Sequence, residues 1–231
     1  RVGFLICEDG WNDAGDDYAV NPFLRLADAA PDLIVSINAS PSNIGKREQR
    51  HALFAAASRR HNLPLVYVNQ VGGHDQLVFD GASFAVAPDQ GVVFEAARFE
   101  ASVTTLQLAD GRFLSGAGDE LPAVPTAGIP VMEFYRRQII LGLRDYARRC
   151  GFSKAVIGSS GGIDSALTMA LAVEAFGADN VVGITMPSRF SSSGSVGDSK
   201  ALCANLGVRL YTHPIRDIVS QFEDGYAGAF G

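Results

Sequence analysis

The sequence predicts an α/β protein in two parts, each built from strands that alternate with helices. Three observations carry that expectation. Short apolar runs rich in β-branched residues recur at VGFLI, LIVSIN, PLVYVNQ, KAVIG, VVGIT and VRLYT, and several lead into stretches with helical spacing. A Gly-, Pro- and Ala-rich stretch without periodicity, SGAGDELPAVPTAGIP at residues 115–130, reads as a linker. The chain of 231 residues has room for one large or two ordinary domains, and 47% of it is apolar.

Taken in order, residues 2–6 read as a buried strand, and CEDGWND after it as a tight polar turn. A helix is expected from Asp17 to Ala30, stopping before Pro31. The strand at 33–38 leads into the loop NASPSNIG, and Arg50, Leu53, Phe54 and Ala57 mark one face of a helix over 46–61. A strand follows at 64–70. Beyond Gly72-Gly73, FDGASFAVAP, a turn at PDQG, VVFEA and SVTTLQL read as antiparallel strands. After the linker, Met132, Tyr135, Ile139, Leu143, Tyr146 and Cys150 repeat at helical spacing, and Gly151 suits the C-terminal cap. Then come strand KAVIG, a Gly-Ser loop, a helix from Asp164 to Phe176, strand VVGIT, a Ser-rich loop, a helix over 198–206, strand VRLYT and the start of another helix. This β/α alternation implies a parallel sheet with helices on both faces.

Composition narrows the function classes. A net charge of −6 gives no electrostatic reason to bind a nucleic-acid duplex, so an anionic ligand needs local donors. No apolar run approaches the ~18 residues of a membrane span. Three cysteines, Cys7, Cys150 and Cys203, make an odd count without metal-ligand spacing, which argues against a disulfide framework or zinc and for a reducing, cytoplasmic setting. An apolar strand starting at residue 2 expects neighbours on both sides, so the native protein is expected to extend beyond both ends.

The most informative segment is Gly158, Ser159, Ser160, Gly161, Gly162, Ile163, Asp164 and Ser165, between a strand and a helix. Open α/β sheets bind ligands at the carboxyl ends of their strands. The glycines permit close backbone approach, Ser160 and Ser165 supply hydroxyls, and the helix start aims unpaired N–H groups at an anion. A pyrophosphate fits those donors. Asp164 repels phosphate unless Mg²⁺ lies between them. A flexible Ser/Gly turn capped by Asp164 is the alternative. The segment lacks the lysine of a Walker loop and the spacing of a dinucleotide fingerprint.

SGGIDS, residues 160–165, resembles the loop of N-type ATP pyrophosphatases, which split ATP between the α- and β-phosphates. MPSRFSSSGSVGDSKAL, residues 186–202, is similar to the mobile serine-rich loop of NAD synthetases. Its serines and glycines around Arg189 and Lys200 suit an anion-closing lid, or else a solvated connection.

Cys7 ends an apolar strand, where a buried structural cysteine is the common outcome. Glu8 and Asp9 beside it disfavour a thiolate, so a nucleophile here needs a base and a cation brought from elsewhere. The wider pattern of FLICEDGW, SINASPSNIGKR and VYVNQVGGHDQLVFDG resembles the nitrilase-like glutaminase domain of NAD synthetases. That resemblance implies a Glu–Lys–Cys triad with Cys7 as nucleophile and both partners upstream of Arg1. It also implies that Ser40 and Lys46 hold glutamine, for which a hydroxyl and an ammonium are suitable. A strand-end turn with an exposed lysine is the plainer alternative. His74 and Gln76 stand where the family usually has an amide and an acid, so the resemblance carries no role over to these two positions.

The pairing of the two motifs implies a glutamine-dependent NAD synthetase. The expected fold is the C-terminal part of an αββα nitrilase-like sandwich over 1–114, a linker over 115–130, and the N-terminal part of a parallel-sheet, Rossmann-like ATP-pyrophosphatase domain over 131–231. The implied substrates are glutamine, ATP and nicotinic acid adenine dinucleotide. Mg²⁺ is expected at Asp164, ATP at residues 158–165 and Arg189, and a homo-oligomer by analogy. A tRNA-thiolating relative would instead show a basic surface and paired catalytic cysteines, and neither is present.

Overall fold

The computed structural model describes residues 1–13 and 18–230, which fall into two compact units, Arg1–Gly142 and Leu143 onward. Each is built around its own sheet.

In the first unit, β1 (Val2–Ile6), β2 (Leu33–Asn38) and β3 (Leu65–Asn69) pair in parallel. Then β6 (Phe84–Ala87) and β7 (Gly91–Glu95) add antiparallel, giving the order β1-β2-β3-β6-β7. Helices α1 (Pro22–Asp28) and α2 (Lys46–His61) supply Phe23, Phe54 and Ala57 to a core completed by Leu5, Ile34, Leu65, Tyr67, Phe84 and Val86. Phe54 is its hub. Its ring meets those of Trp11, Phe23, Tyr67 and Phe84 edge-on at 4.7–6.4 Å between centroids, a geometry that the ring quadrupoles favour.

Several expectations need correction. Among the described residues β1 is the outermost strand of its sheet, with Gly3 and Leu5 covered and Phe4 60% and Ile6 66% exposed. The first helix starts late, at Pro22, because Asn21 caps it by accepting from the Leu24 N–H and proline suits the first helical position. Its expected start at Asp17 lies outside the described residues.

FDGASFAVAP is not one strand. Gly81 (φ +66°) and Ala82 (φ +52°) break it, leaving β5 (Leu77–Asp80) to pair with β4 (Val71–His74) in a separate hairpin. SVTTLQL pairs only from Leu106. There β8 (Leu106–Ala109) and β9 (Arg112–Ser115) close across Asp110-Gly111, both at positive φ, the Asp-Gly signal of a two-residue hairpin. The loop after β9 is held rather than free, since Arg47 Nη2 donates to the Pro125 carbonyl at 2.9 Å.

α3 (Val131–Cys150) forms as expected, and the division between the units falls within it, after Gly142. Its periodic stripe is nevertheless exposed, with Met132 and Tyr146 more than half open. Phe134, Ile140, Asp145 and Ala147 are the buried positions. Spacing correctly predicts the helix here, but not which face is covered.

The second unit holds the parallel sheet β10 (Ala155–Gly158), β11 (Val181–Thr185) and β12 (Arg209–Thr212). α4 (Ile163–Phe176) and α5 (Ser193–Leu206) pack on it through Met169, Ala172, Val181, Cys203 and Val208. α6 (Arg216–Phe230) follows. α5 begins five residues earlier than its apolar pattern indicates, because Ser192 accepts from the Ser195 N–H as its cap. That shortens the expected lid to 186–192.

Phe54→Ala tests the hub. Removing a ring at 0% exposure is expected to cost the first unit about 3–5 kcal/mol, read as an earlier denaturation midpoint for signals from that unit.

Candidate functional sites at the strand ends

Each unit places its sequence-predicted residues where a parallel strand ends. In the first, β1 runs into a 3-10 turn over Cys7–Gly10, and Cys7 takes φ +48°, rare for a residue with a side chain. Such a conformation costs about 1–3 kcal/mol and persists only where the surroundings hold it. Here Asp9 accepts from the Ile6 N–H at 2.9 Å and the Glu8 carbonyl from the Trp11 N–H at 2.9 Å. Gly10 lets the turn lie on the core, since a β-carbon there would stand 2.6 Å from Phe54 Cζ. The Cys7 side chain is partly accessible.

The turn reaches Lys46 through Trp11, whose ring centroid lies 3.9 Å from Nζ, a cation–π distance. Lys46 also donates to Gln49 Oε1 at 3.2 Å. Burial, then the Arg50 guanidinium, hold its pKa below that of an ordinary lysine, against the opposing pull of Glu8.

Ser40 is buried, and its backbone is fully engaged by Asn69 and Arg50. The Tyr67 hydroxyl is buried with no hydrogen bond of normal geometry. Burial pushes its pKa up, while Arg50 and the Ser40 side chain pull it down and Cys7 adds to the rise. His74 closes the β4–β5 hairpin opposite Leu77, and Gln76 lies in its turn.

In the second unit, the chain leaves β10 at Gly158 and enters α4 at Ile163. Ser159 is buried, donating N–H to the Ile184 carbonyl at 2.7 Å and Oγ–H to Ser199 Oγ at 2.8 Å. Ser165 Oγ accepts from the Ser160 N–H and donates to the Gly162 carbonyl, and Ser160 Oγ accepts from the Gly162 N–H. These bonds shape the loop around the first turn of α4, where backbone N–H groups lack helical partners. Gly161 sits at φ +79°, and a β-carbon there would be 2.4 Å from the Ser195 carbonyl oxygen. The start of α5 thus lies directly on the loop. Between them opens a cavity of about 300 Å³ lined by Gly158, Ser159, Ser160, Thr185, Met186, Ser191, Ser195 and Val196.

Asp164 is exposed on the first turn of α4. Among the described residues no three of His, Cys, Asp and Glu form a metal-binding group. One exposed carboxylate beside a set of phosphate donors still fits Mg²⁺, which takes one or two carboxylates and fills its shell with phosphate and water. Arg189 does not line the cavity. It pairs with Glu223 and stacks 4.7 Å over Phe190.

With this geometry in view, residues 135–230 match the family model described as NAD synthase. The glutamine-dependent NAD(+) synthetase of a Synechocystis species is 41% identical over 236 residues, covering 100% of this chain. This chain is a homologue of the glutamine-dependent NAD(+) synthetases. The corresponding synthetase from Aquifex aeolicus is 36% identical over 94% of the chain. The ADP-bound structure of the Acinetobacter baumannii synthetase matches at TM-score 0.87 and 31% identity, covering 100% of this chain and 41% of its own. The Cytophaga hutchinsonii synthetase shares the fold, at TM-score 0.74 and 17% identity, over 99% of this chain and 41% of its own. The chain spans 41–42% of the length of these relatives. No described helix is long and apolar enough to cross a membrane.

Sequence reading missed Trp11, Tyr67, Asn69, Asp80 and Ser199. Arg50 carried a usable signal, a charge at a core-facing position of α2.

Two outcomes are expected. Lys46 should be acylated by an amine-selective reagent at a lower pH than an unperturbed lysine peptide, read by peptide mass spectrometry, and Trp11→Leu should move that pH. Gly161→Ala should destabilise the second unit by about 1–3 kcal/mol, because strain at positive φ adds to the clash with Ser195; a thermal melt reads it.

Proposed function

We propose that this chain carries the glutamine-handling and ATP-handling loops of an enzyme that makes NAD by amidating nicotinic acid adenine dinucleotide. One observation carries the reading. A strand-end cysteine and an SGGIDS loop occur in a single chain whose whole length aligns with a glutamine-dependent NAD(+) synthetase. In this reading residues 1–114 belong to the glutaminase, 115–130 link the parts, and 131–231 belong to the synthetase.

The chemistry divides accordingly. A carboxylate is a poor electrophile and holds no good leaving group, so it is first joined to AMP at the expense of ATP. The N–H groups at 160–163 and the Ser160 and Ser165 hydroxyls would then hold the departing pyrophosphate, as helix starts do for anions, with the Ser160 and Gly162 N–H groups exchanging their present acceptors, Ser165 Oγ and Ser160 Oγ, for phosphate oxygens. Mg²⁺ held by Asp164 would neutralise phosphate charge there. Arg189 would have to exchange Glu223 for a phosphate to take part.

At the other strand end, the Cys7 sulfur attacks the side-chain amide carbonyl of glutamine, and a thioester forms as ammonia leaves. Water then releases glutamate. Lys46 and Ser40 supply the ammonium and hydroxyl for the amino-acid end of glutamine. Ammonia released to neutral water becomes ammonium and stops being a nucleophile, so it is passed internally to the acyl-adenylate. A cytoplasmic homo-oligomer completes the proposal.

A full-length protein supplied with ATP, Mg²⁺ and nicotinic acid adenine dinucleotide tests it. Cys7→Ala should abolish NAD formation from glutamine and leave that from ammonium within about twofold. Asp164→Asn should lower both by roughly a hundredfold or more. Loss of the ammonium-driven rate in a folded Cys7→Ala protein contradicts the assignment.

A further inference from the structure

A buried charge cluster lies behind Ser40, and the proposed chemistry does not use it directly. Arg50, on the core-facing side of α2, is 1% exposed. It donates through Nε to Ser40 Oγ at 3.1 Å, through Nη2 to the Ser40 carbonyl at 2.8 Å and the Pro41 carbonyl at 3.0 Å, and through Nη1 to Asp80 Oδ1 at 2.8 Å. The other oxygen of Asp80 accepts from Arg98 Nη2 at 2.9 Å and Nε at 3.3 Å. From the opposite side Asn69, at the end of β3, accepts from the Ser40 N–H at 2.9 Å. Its amide donates to the Ser40 carbonyl at 3.3 Å and the Gly81 carbonyl at 3.0 Å.

Every polar atom of Ser40 is thus engaged, and three donors of one rigid guanidinium fix its hydroxyl, its carbonyl and the next carbonyl together. Such a planar fork sets orientation in a way that a flexible ammonium cannot. A buried, fully paired charge is weak evidence for stability and better evidence for specifying a geometry.

We propose that Arg50, braced by Asp80 and Arg98, is a positioning residue that holds the Ser40 hydroxyl in register for glutamine. This rests on the assignment of Ser40 to glutamine above and adds the device that sets its geometry. Arg50 does not touch the substrate. The cluster of two arginines and one aspartate also keeps one positive charge beneath a loop meant for an amino-acid carboxylate.

The test uses the full-length protein with Arg50→Lys, which keeps the charge and loses the fork. The KM for glutamine should rise roughly tenfold while the ammonium-driven rate stays within about twofold, the pattern expected when only binding in the glutamine pocket is loosened. Alkylation of Cys7 by iodoacetamide should keep its wild-type rate, with glutamine protecting only at correspondingly higher concentration. If Arg50→Lys does not fold, Arg98→Lys takes its place. That side chain is 12% exposed, and a KM rise of about threefold is expected from a looser Asp80. An unchanged KM for glutamine in a folded variant overturns the proposal. So does an equal fall in the glutamine- and ammonium-driven rates, which marks a merely structural role. A wild-type protein that makes NAD from ammonium but never from glutamine sinks the glutamine assignment itself, a result distinct from either.

Discussion

A chain leaving the carboxyl end of a parallel strand must reverse direction before a helix can pack back on the sheet. The few residues that make this turn cannot satisfy all their backbone groups in the ladder or the helix. Both candidate sites grow from that constraint. After β1, the turn is bought with a left-handed cysteine at φ +48°, held by Asp9 and seated on Phe54 through Gly10. After β10 it is made by Gly161 at φ +79°, pressed against Ser195 of α5. One turn presents a sulfur, the other a set of N–H groups and hydroxyls, and these suit an acyl transfer and a phosphate respectively.

What stands behind each turn differs with the chemistry required. Behind the glycine loop, neutral hydroxyls suffice. Ser159 and Ser199 bond to each other in the interior, and the cavity between loop and α5 is lined by serine and threonine hydroxyls together with Gly158, Met186 and Val196. Behind the Ser40 loop lies a network of full charges, Arg50, Asp80 and Arg98, with Asn69 closing it from β3. Buried charges tolerate few arrangements, because a lost partner leaves an uncompensated ion in a poorly solvating interior. Phe54, one turn along α2 from Arg50, packs with Tyr67 and Phe84 in the aromatic hub of the same unit.

How much of this was legible in the sequence depends on whether the signal was local. The strand–loop–helix around residues 158–165 was readable to within one residue, because apolar runs and glycines lie side by side in the chain. The Asp110-Gly111 hairpin and the Ser192 cap carried local signals that were passed over. Burial was less legible. Among the described residues the regular stripe on α3 is largely exposed, since spacing encodes periodicity and not what lies opposite. The Arg50 network joins residues ten, thirty and eighteen positions apart, and no short motif records such pairings.

The central claim is that the two strand ends serve one reaction, with nitrogen released beside Cys7 consumed at the SGGIDS loop. The most direct measurement supplies the full-length protein with ATP, Mg²⁺, nicotinic acid adenine dinucleotide, glutamine labelled with ¹⁵N at its side-chain amide, and an excess of unlabelled ammonium. Mass spectrometry of the NAD formed should find the label in its carboxamide, in a proportion well above the label's share of free ammonia. Unlabelled NAD formed while labelled ammonium accumulates in solution contradicts the account.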